Sequence, residues 1–177
     1  MNFGQEFVQL DKRTHDRKSF DCGTKELNDF IRMYAARHMK AGVSKTMVLP
    51  ADEKLENGKY PICAYYTIAP SAISVDELPE DQARKLPHYP VPVFLLAQMA
   101  VNSECQNKGL GKVTLIKALE YMVDIYQRIP AYAVIVDCLN AGISDFYSKY
   151  GFKYLCDFSG KERMFLPMKT VISLFSL

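Results

Sequence analysis

The sequence predicts an α/β (α+β) fold: a mixed, mostly antiparallel sheet of six to seven strands flanked by about four helices. It reads as a single domain over residues 1–177. Three observations predict this. Strand-like and helix-like segments alternate in the order β-α-β-β-(α)-β-α-β-α-β-β. Two stretches, Pro92–Val101 and Ala131–Val136, are nearly continuous apolar sequence, as in strands covered on both faces. The chain is 49% hydrophobic over 177 residues, enough to bury a substantial core.

Each element has a local reason. Phe3–Leu10 reads as a strand. Thr24 is a good N-cap, and Leu27, Phe30, Ile31, Tyr34 and Ala35 then recur at helical spacing until Gly42. Lys45–Leu49 and Tyr60–Ile68 read as strands around the turn-rich Ala51–Lys59, where Asn57-Gly58 is a hairpin signal. Ser74–Pro92, with four prolines and a cluster of acids, reads as a long excursion with one short helix over Glu80–Lys85. Leu110, Val113, Ile116, Leu119 and Val123 mark an amphipathic helix. A short helix over Ala141–Tyr150 ends at Gly151, and strands at Phe152–Cys156 and Arg163–Met168 close the domain.

Composition excludes several classes of function. With 22 basic and 20 acidic residues, the net charge of +2 rules out binding through a bulk basic field. No apolar run approaches the roughly 20 residues of a membrane span, and the amino terminus has no apolar signal core. The expectation is a cytoplasmic protein without membrane contact. Five cysteines stand 18 to 42 residues apart without a CxxC pair, and His15, His38 and His88 are scattered. These spacings predict reduced thiols and no metal. Cys105 lies beside the motif described next, where it has either a local role or a buried place in the core.

The most informative stretch is Ala97-Gln98-Met99-Ala100-Val101-Asn102-Ser103-Glu104-Cys105-Gln106-Asn107-Lys108-Gly109-Leu110-Gly111-Lys112. A buried strand enters a polar loop holding two glycines, and a long helix starts at once. Free N–H groups and the helix dipole suit such a start to phosphate, and Lys108 and Lys112 add charge there; the glycines mark either a phosphate site or simply a tight corner. Val113 excludes a Walker loop, which needs Ser or Thr after Gly-Lys. Thr114 excludes the dinucleotide fingerprint, which needs a third Gly or Ala.

The spacing Gln106-x-x-Gly109-x-Gly111 after a strand resembles the Q/R-x-x-G-x-G/A signature of the GNAT superfamily of N-acetyltransferases. Further on, Asn140 to Phe152 resembles that family's N-x-x-A-x-x-F-Y-x-K-x-G-F pattern, with Ile143 or Ser144 in place of the alanine. The resemblance implies a GNAT-like domain using acetyl-CoA. It implies that Met99, Ala100 and Val101 offer main-chain groups to the acetyl and pantetheine portions. Gln106, Asn107, Lys108, Gly109, Leu110 and Gly111 would wrap the pyrophosphate, with Lys112 at the loop's end. Asn140 would contact the cofactor, and Tyr147 would be the general acid that protonates the leaving thiolate. Chemistry supports that role, since a tyrosine hydroxyl near pKa about 10 is protonated at neutral pH. Phe146 and Phe152 read as core aromatics. Leu95–Met99 carries no acid, and Gln98 cannot act as a base.

Three further stretches, Phe20–Gly23 with Glu26–Ile31, Tyr65–Ile68 and Pro90–Val101, resemble the GNAT toxins of toxin–antitoxin modules over roughly residues 5–168. That resemblance implies acetylation of aminoacyl-tRNA, a homodimer, and a small DNA-binding antitoxin as partner. Gln98 stands where many of the toxins carry arginine, and the chain is less basic than they tend to be. Arg13, Arg17 and Lys18 mix with Asp11 and Asp16 and read as solvated surface. Arg37, Lys40 and Lys45 form either a basic stripe or ordinary solvated surface. Two alternatives remain open: an acetyltransferase of a small amine or protein amine, and a non-enzymatic CoA-binding sensor.

Overall fold

A computed structural model describes residues 1–176. The strands are β1 (Val8–Gln9), β2 (His15–Asp16), β3 (Lys45–Pro50), β4 (Tyr60–Ile73), β5 (Val91–Val101), β6 (Ala133–Cys138), β7 (Lys153–Phe158) and β8 (Lys161–Pro167). The α-helices are α1 (Lys25–Asp29), α2 (Ala35–Lys40), α3 (Glu80–Ala83), α4 (Leu110–Tyr126), α5 (Ala141–Ser148) and α6 (Met168–Phe175). The strands form an eight-stranded mixed sheet in the order β1-β3-β4-β5-β6-β8-β7, with β2 pairing off that path with β4. Pairing is antiparallel for β1–β3, β3–β4, β6–β8 and β7–β8, and parallel for β5–β6 and β2–β4. The predicted α/β class holds. The extra strand is β2, whose two residues are too few for an alternating pattern to register.

The residues group into two compact units, Met1–Ala69 with Ala97–Ala118, and Pro70–Leu96 with the described residues from Leu119 onward. In the first, α1 runs through a π-helical turn, Phe30–Tyr34, into α2. Phe30, Ile31 and Ala35 are buried with Phe20, Val48, Ile62 and Tyr65. Tyr34, expected on the same apolar stripe, is exposed. A π turn widens the helical repeat, so a position three residues after Ile31 no longer falls under the stripe. Thr24 is extended at the helix start, but its side chain makes no capping hydrogen bond. At the other end Gly42 has φ +72°, its N–H donates to the Met39 carbonyl, and Val43 N–H donates to the His38 carbonyl. This is a Schellman stop, and it needs the left-handed conformation that glycine adopts freely. The predicted strand at Phe3–Leu10 shrinks to β1 plus one bridge, Phe3 to Ala51.

In the second unit β5 and β6 run parallel, with Phe94 opposite Val134. Arg163 of β8 is buried and donates to both carboxylate oxygens of Asp137 on β6, at 2.7 and 2.9 Å. The excursion after β4 is packed: Val75 and Leu78 join Val93, Ile135, Leu155 and Phe165 in one cluster. Helix α6 carries no helical signal in sequence, because its segment is rich in the β-branched Thr170, Val171 and Ile172, which favour strands. Burial of Met168 and Val171 decides otherwise. Among the described residues, no helix is long and apolar enough to cross a membrane. Among them, too, no group of three or more His, Cys, Asp or Glu could hold a metal ion.

Candidate functional site

The glycine motif lies in the first unit. At the end of β5 the burial pattern changes: Ala97, Gln98, Met99 and Val101 are half-buried, while Ala100 lies in the core. Asn102 then fixes the loop. Its main-chain N–H donates to the Cys63 carbonyl at 2.8 Å and its side-chain amide to the Ile62 carbonyl at 3.1 Å. Its side-chain oxygen accepts from Glu104 N–H at 3.1 Å, capping a single 3-10 turn, Ser103–Cys105. Cys105 is fully buried against Leu49, Ala64 and Leu110, so it is core packing. Burial, reinforced by Cys105 nearby, pushes the Cys63 thiol up to about 12.

The next residues leave a path for a ligand. Gln106, Asn107, Lys108 and Gly109 are exposed, Leu110 anchors the helix in the core, and Lys112 is exposed. Asn107 and Gly109 have φ +60° and +76°. Left-handed residues at alternate positions are the kind of backbone from which anion-binding nests are built. The amides of Gly109–Lys112 open α4, before the bond from Val113 N–H to the Gly109 carbonyl at 3.3 Å. Thr114, which replaced the third glycine of a dinucleotide site, donates its hydroxyl to the Leu110 carbonyl at 2.7 Å. The donor set suits phosphate: main-chain amides, a helix start and two lysines. The Gln106 side chain is engaged elsewhere, donating to the carbonyls of Val101 at 2.9 Å and Cys22 at 3.2 Å.

The second motif lies in the second unit. Asn140 follows β6 as the N-cap of α5, and its side-chain oxygen accepts from Ile143 N–H at 3.1 Å. Tyr147 sits on α5 at 4% exposure, edge-on to Phe146 and Phe152 with ring centroids 5.2 Å away in each case. Burial, and next Cys138, raises its pKa well above the usual value of 10. A group held so is a proton donor across the neutral range. Gly151, at φ +91°, turns the chain from α5 towards β7.

The placement of charge differs from what the sequence suggested. A groove of about 870 Å³ in the first unit is lined by Lys12, Arg13, Arg17, Arg37 and Lys40, over a floor that includes Leu10, Met33, Ala36 and Met39. Arg32 also lines it, but is held by hydrogen bonds to the Phe20 carbonyl. The one acid in the lining is Asp11, 3.6 Å from the Arg13 guanidinium. Arg37 and Lys40 meet the expected stripe; Lys45 does not line the groove. Arg13 and Arg17, read from sequence as scattered surface, join it because the turn at Asp11–His15 returns the chain to β2. That is a tertiary arrangement without a local signature.

No protein-family model matches the chain. It is similar to "Probable toxin TacT" of Sinorhizobium fredii, at 29% identity over 173 residues, covering 93% of this chain and 92% of the relative. It is also similar to a "tRNA-acetylating toxin" of Mycobacterium tuberculosis, at 28% identity over 138 residues and 78% of each chain. Among solved structures it resembles a Tyr-to-Phe mutant of KacT with TM-score 0.87 and 23% identity, covering 96% of this chain and 98% of that one. AtaT complexed with acetyl-methionyl-tRNA gives 0.85 and 22%, covering 97% and 99%. A mutant AtaT toxin bound to the C-terminus of the antitoxin AtaR and acetyl-CoA gives 0.80 and 20%, covering 97% and 98%. The chain shares the GNAT fold of these toxin structures, and its relatives by sequence include a probable toxin and a tRNA-acetylating toxin.

Proposed function

We propose that this protein is an acetyl-CoA-dependent N-acetyltransferase that acetylates the α-amine of aminoacyl-tRNA, acting as the toxin of a toxin–antitoxin module. In this reading residues 1–177 work as one domain, in the cytoplasm, as a homodimer silenced by a small antitoxin. The observation that carries the reading is the gathering of Lys12, Arg13, Arg17, Arg37 and Lys40 in one groove of the unit that also holds the glycine loop. A polyanionic acceptor needs such a track; a small amine, itself a cation, would be repelled by it. The similarity to a tRNA-acetylating toxin over most of both chains supports the same acceptor.

Acetyl-CoA, when bound, supplies the acetyl thioester. The amides at the start of α4, with Lys108 and Lys112, would hold its phosphates; by the resemblance, main-chain groups of Met99, Ala100 and Val101 would meet its acetyl and pantetheine arm and Asn140 would contact it. As the C–N bond forms and the C–S bond breaks, Tyr147 would donate the proton that the departing sulfur requires, while the proton shed by the nitrogen passes to water and water restores the proton on the tyrosine. No carboxylate is needed as base. An α-amine has a pKa of about 7.7–8.0 against about 10.4 for lysine, so about a tenth of it is already free at pH 7, against less than about a thousandth of a lysine. The missing acid on Leu95–Met99 thus agrees with an α-amine acceptor.

The test is transfer from labelled acetyl-CoA, with charged tRNA, uncharged tRNA, a polyamine and a peptide amine offered in parallel. Label on charged tRNA alone is the expected result. Label on the polyamine or peptide, with charged tRNA unlabelled, would contradict the acceptor.

A further inference from the structure

Between the glycine loop and the first helical run lies the turn Phe20-Asp21-Cys22-Gly23, and its main chain is held from both sides. Three consecutive carbonyls are held by side-chain donors. Arg32, in the π turn of the helix, donates to the Phe20 carbonyl. The Asp21 carbonyl accepts from both the N–H and the hydroxyl of Ser103, at 2.8 and 3.0 Å. The Cys22 carbonyl accepts from Gln106 at 3.2 Å. On the helix side, Asn28 of α1 is buried; its oxygen accepts from Cys22 N–H at 2.9 Å and its amide donates to the Asp21 carboxylate at 2.8 Å. Gly23, at φ +83°, lets the chain turn into α1.

The consequence is mechanical. Ser103 and Gln106 belong to the segment that leads into the phosphate-binding amides. Asn28 and Arg32 belong to the helical run that goes on to carry Met33, Ala36, Arg37, Met39 and Lys40 into the basic groove. The Gln106 amide has two hydrogens and both are engaged, on Val101 and on Cys22. Its side chain is therefore a strut and leaves the anion to the backbone around it. The link Phe20–Gly23 is only four residues long, and each of its three bonded carbonyls has a partner of fixed direction. Fixing one side restricts the other.

We propose that Gln106 and Ser103 are positioning residues which, through Asp21 and Cys22, couple occupancy of the 106–112 loop to the ordering of the groove-bearing helix. Coenzyme and RNA acceptor then bind with positive cooperativity. The coupling rests on the coenzyme site of the proposed function, and the cooperativity with RNA rests on its acceptor as well. Linkage requires the effect to be reciprocal, so acceptor binding tightens coenzyme by the same factor.

The test is hydrogen–deuterium exchange on the full chain with and without coenzyme A, the non-reacting form of the donor. In the wild type, exchange over 20–40 should slow about fivefold or more on adding coenzyme A, with the Cys22 amide included. In a Gln106→Ala/Ser103→Ala variant at saturating coenzyme A, protection should stay within the loop and the start of α4. Gln106→Arg, which restores donors long enough to reach both carbonyls, should recover the protection over 20–40. A charged-tRNA titration in the same proteins should show coenzyme A tightening the wild type and leaving the double variant within about twofold. Protection confined to the loop in the wild type, or unchanged over 20–40 in the double variant, overturns the coupling even if tRNA is acetylated. A wild type that couples but acetylates no charged tRNA keeps the coupling and removes the acceptor assignment.

Discussion

Tyr147 is buried with its ring edge-on to Phe146 and Phe152, and that burial favours the protonated hydroxyl. Truncating the oxygen while keeping the ring isolates its chemistry from its packing. Tyr147→Phe should lower kcat by about 10²–10⁴-fold, the usual range for a positioned acid, with the affinity for acetyl-CoA nearly unchanged in a calorimetric titration. An unaffected kcat removes the acid assignment. Gly109 tests the other end of the reaction. Its surroundings are open, so the constraint there is its positive φ. A β-branched side chain in that conformation is a genuine outlier. Gly109→Val should therefore weaken acetyl-CoA binding at least tenfold, measured on a protein whose melting curve remains cooperative.

At the scale of elements, the parts that were legible in the sequence are those whose cause is local. The β5–loop–α4 passage and the α5 cap could be read because an apolar run, two glycines and Asn140 each act on their immediate neighbours. The π turn could not, since Leu27, Phe30, Ile31 and Tyr34 fit an ordinary helix until packing of Phe30 and Ile31 on Tyr65 and Phe20 sets the register. Nor could the strut role of Gln106, whose partner Cys22 is 84 residues away. The basic groove is of the same kind, assembled from a turn at Asp11 and a helix that ends near Lys40. Its charge is testable directly. Arg37→Glu with Lys40→Glu should raise the KM for charged tRNA by tenfold or more. The variant should also flatten the dependence of log affinity on log salt by about one for each phosphate contact removed. Acetyl-CoA affinity in the same variant serves as the control. An unchanged salt slope would mean that the RNA does not lie there.

For the whole molecule the near-balance of 22 basic and 20 acidic residues is less restrictive than it first reads. Net charge describes the field far from the surface, whereas phosphate contacts depend on local density. Proton traffic is likewise a property of the whole reaction. The attacking amine must be neutral, so kcat/KM should rise with pH through about 7.7–8.0 and then level. Tyr147 must be protonated, and its activity would be lost as pH rises through its pKa. Because burial moves that pKa upward, the loss lies above the ordinary value of 10. Initial rates from pH 6 to about 9.5, corrected for ester hydrolysis, should show a single rising limb. A falling limb below pH 9 would point to another acid. The acetylated group itself can be identified directly. Purified protein should be incubated with acetyl-CoA and charged tRNA, and the amino acid then released by mild base and weighed by mass spectrometry. An N-acetylated amino acid is expected with the wild type and the free amino acid with Tyr147→Phe; the free amino acid with both, while acetyl-CoA binds normally, would overturn the α-amine as acceptor.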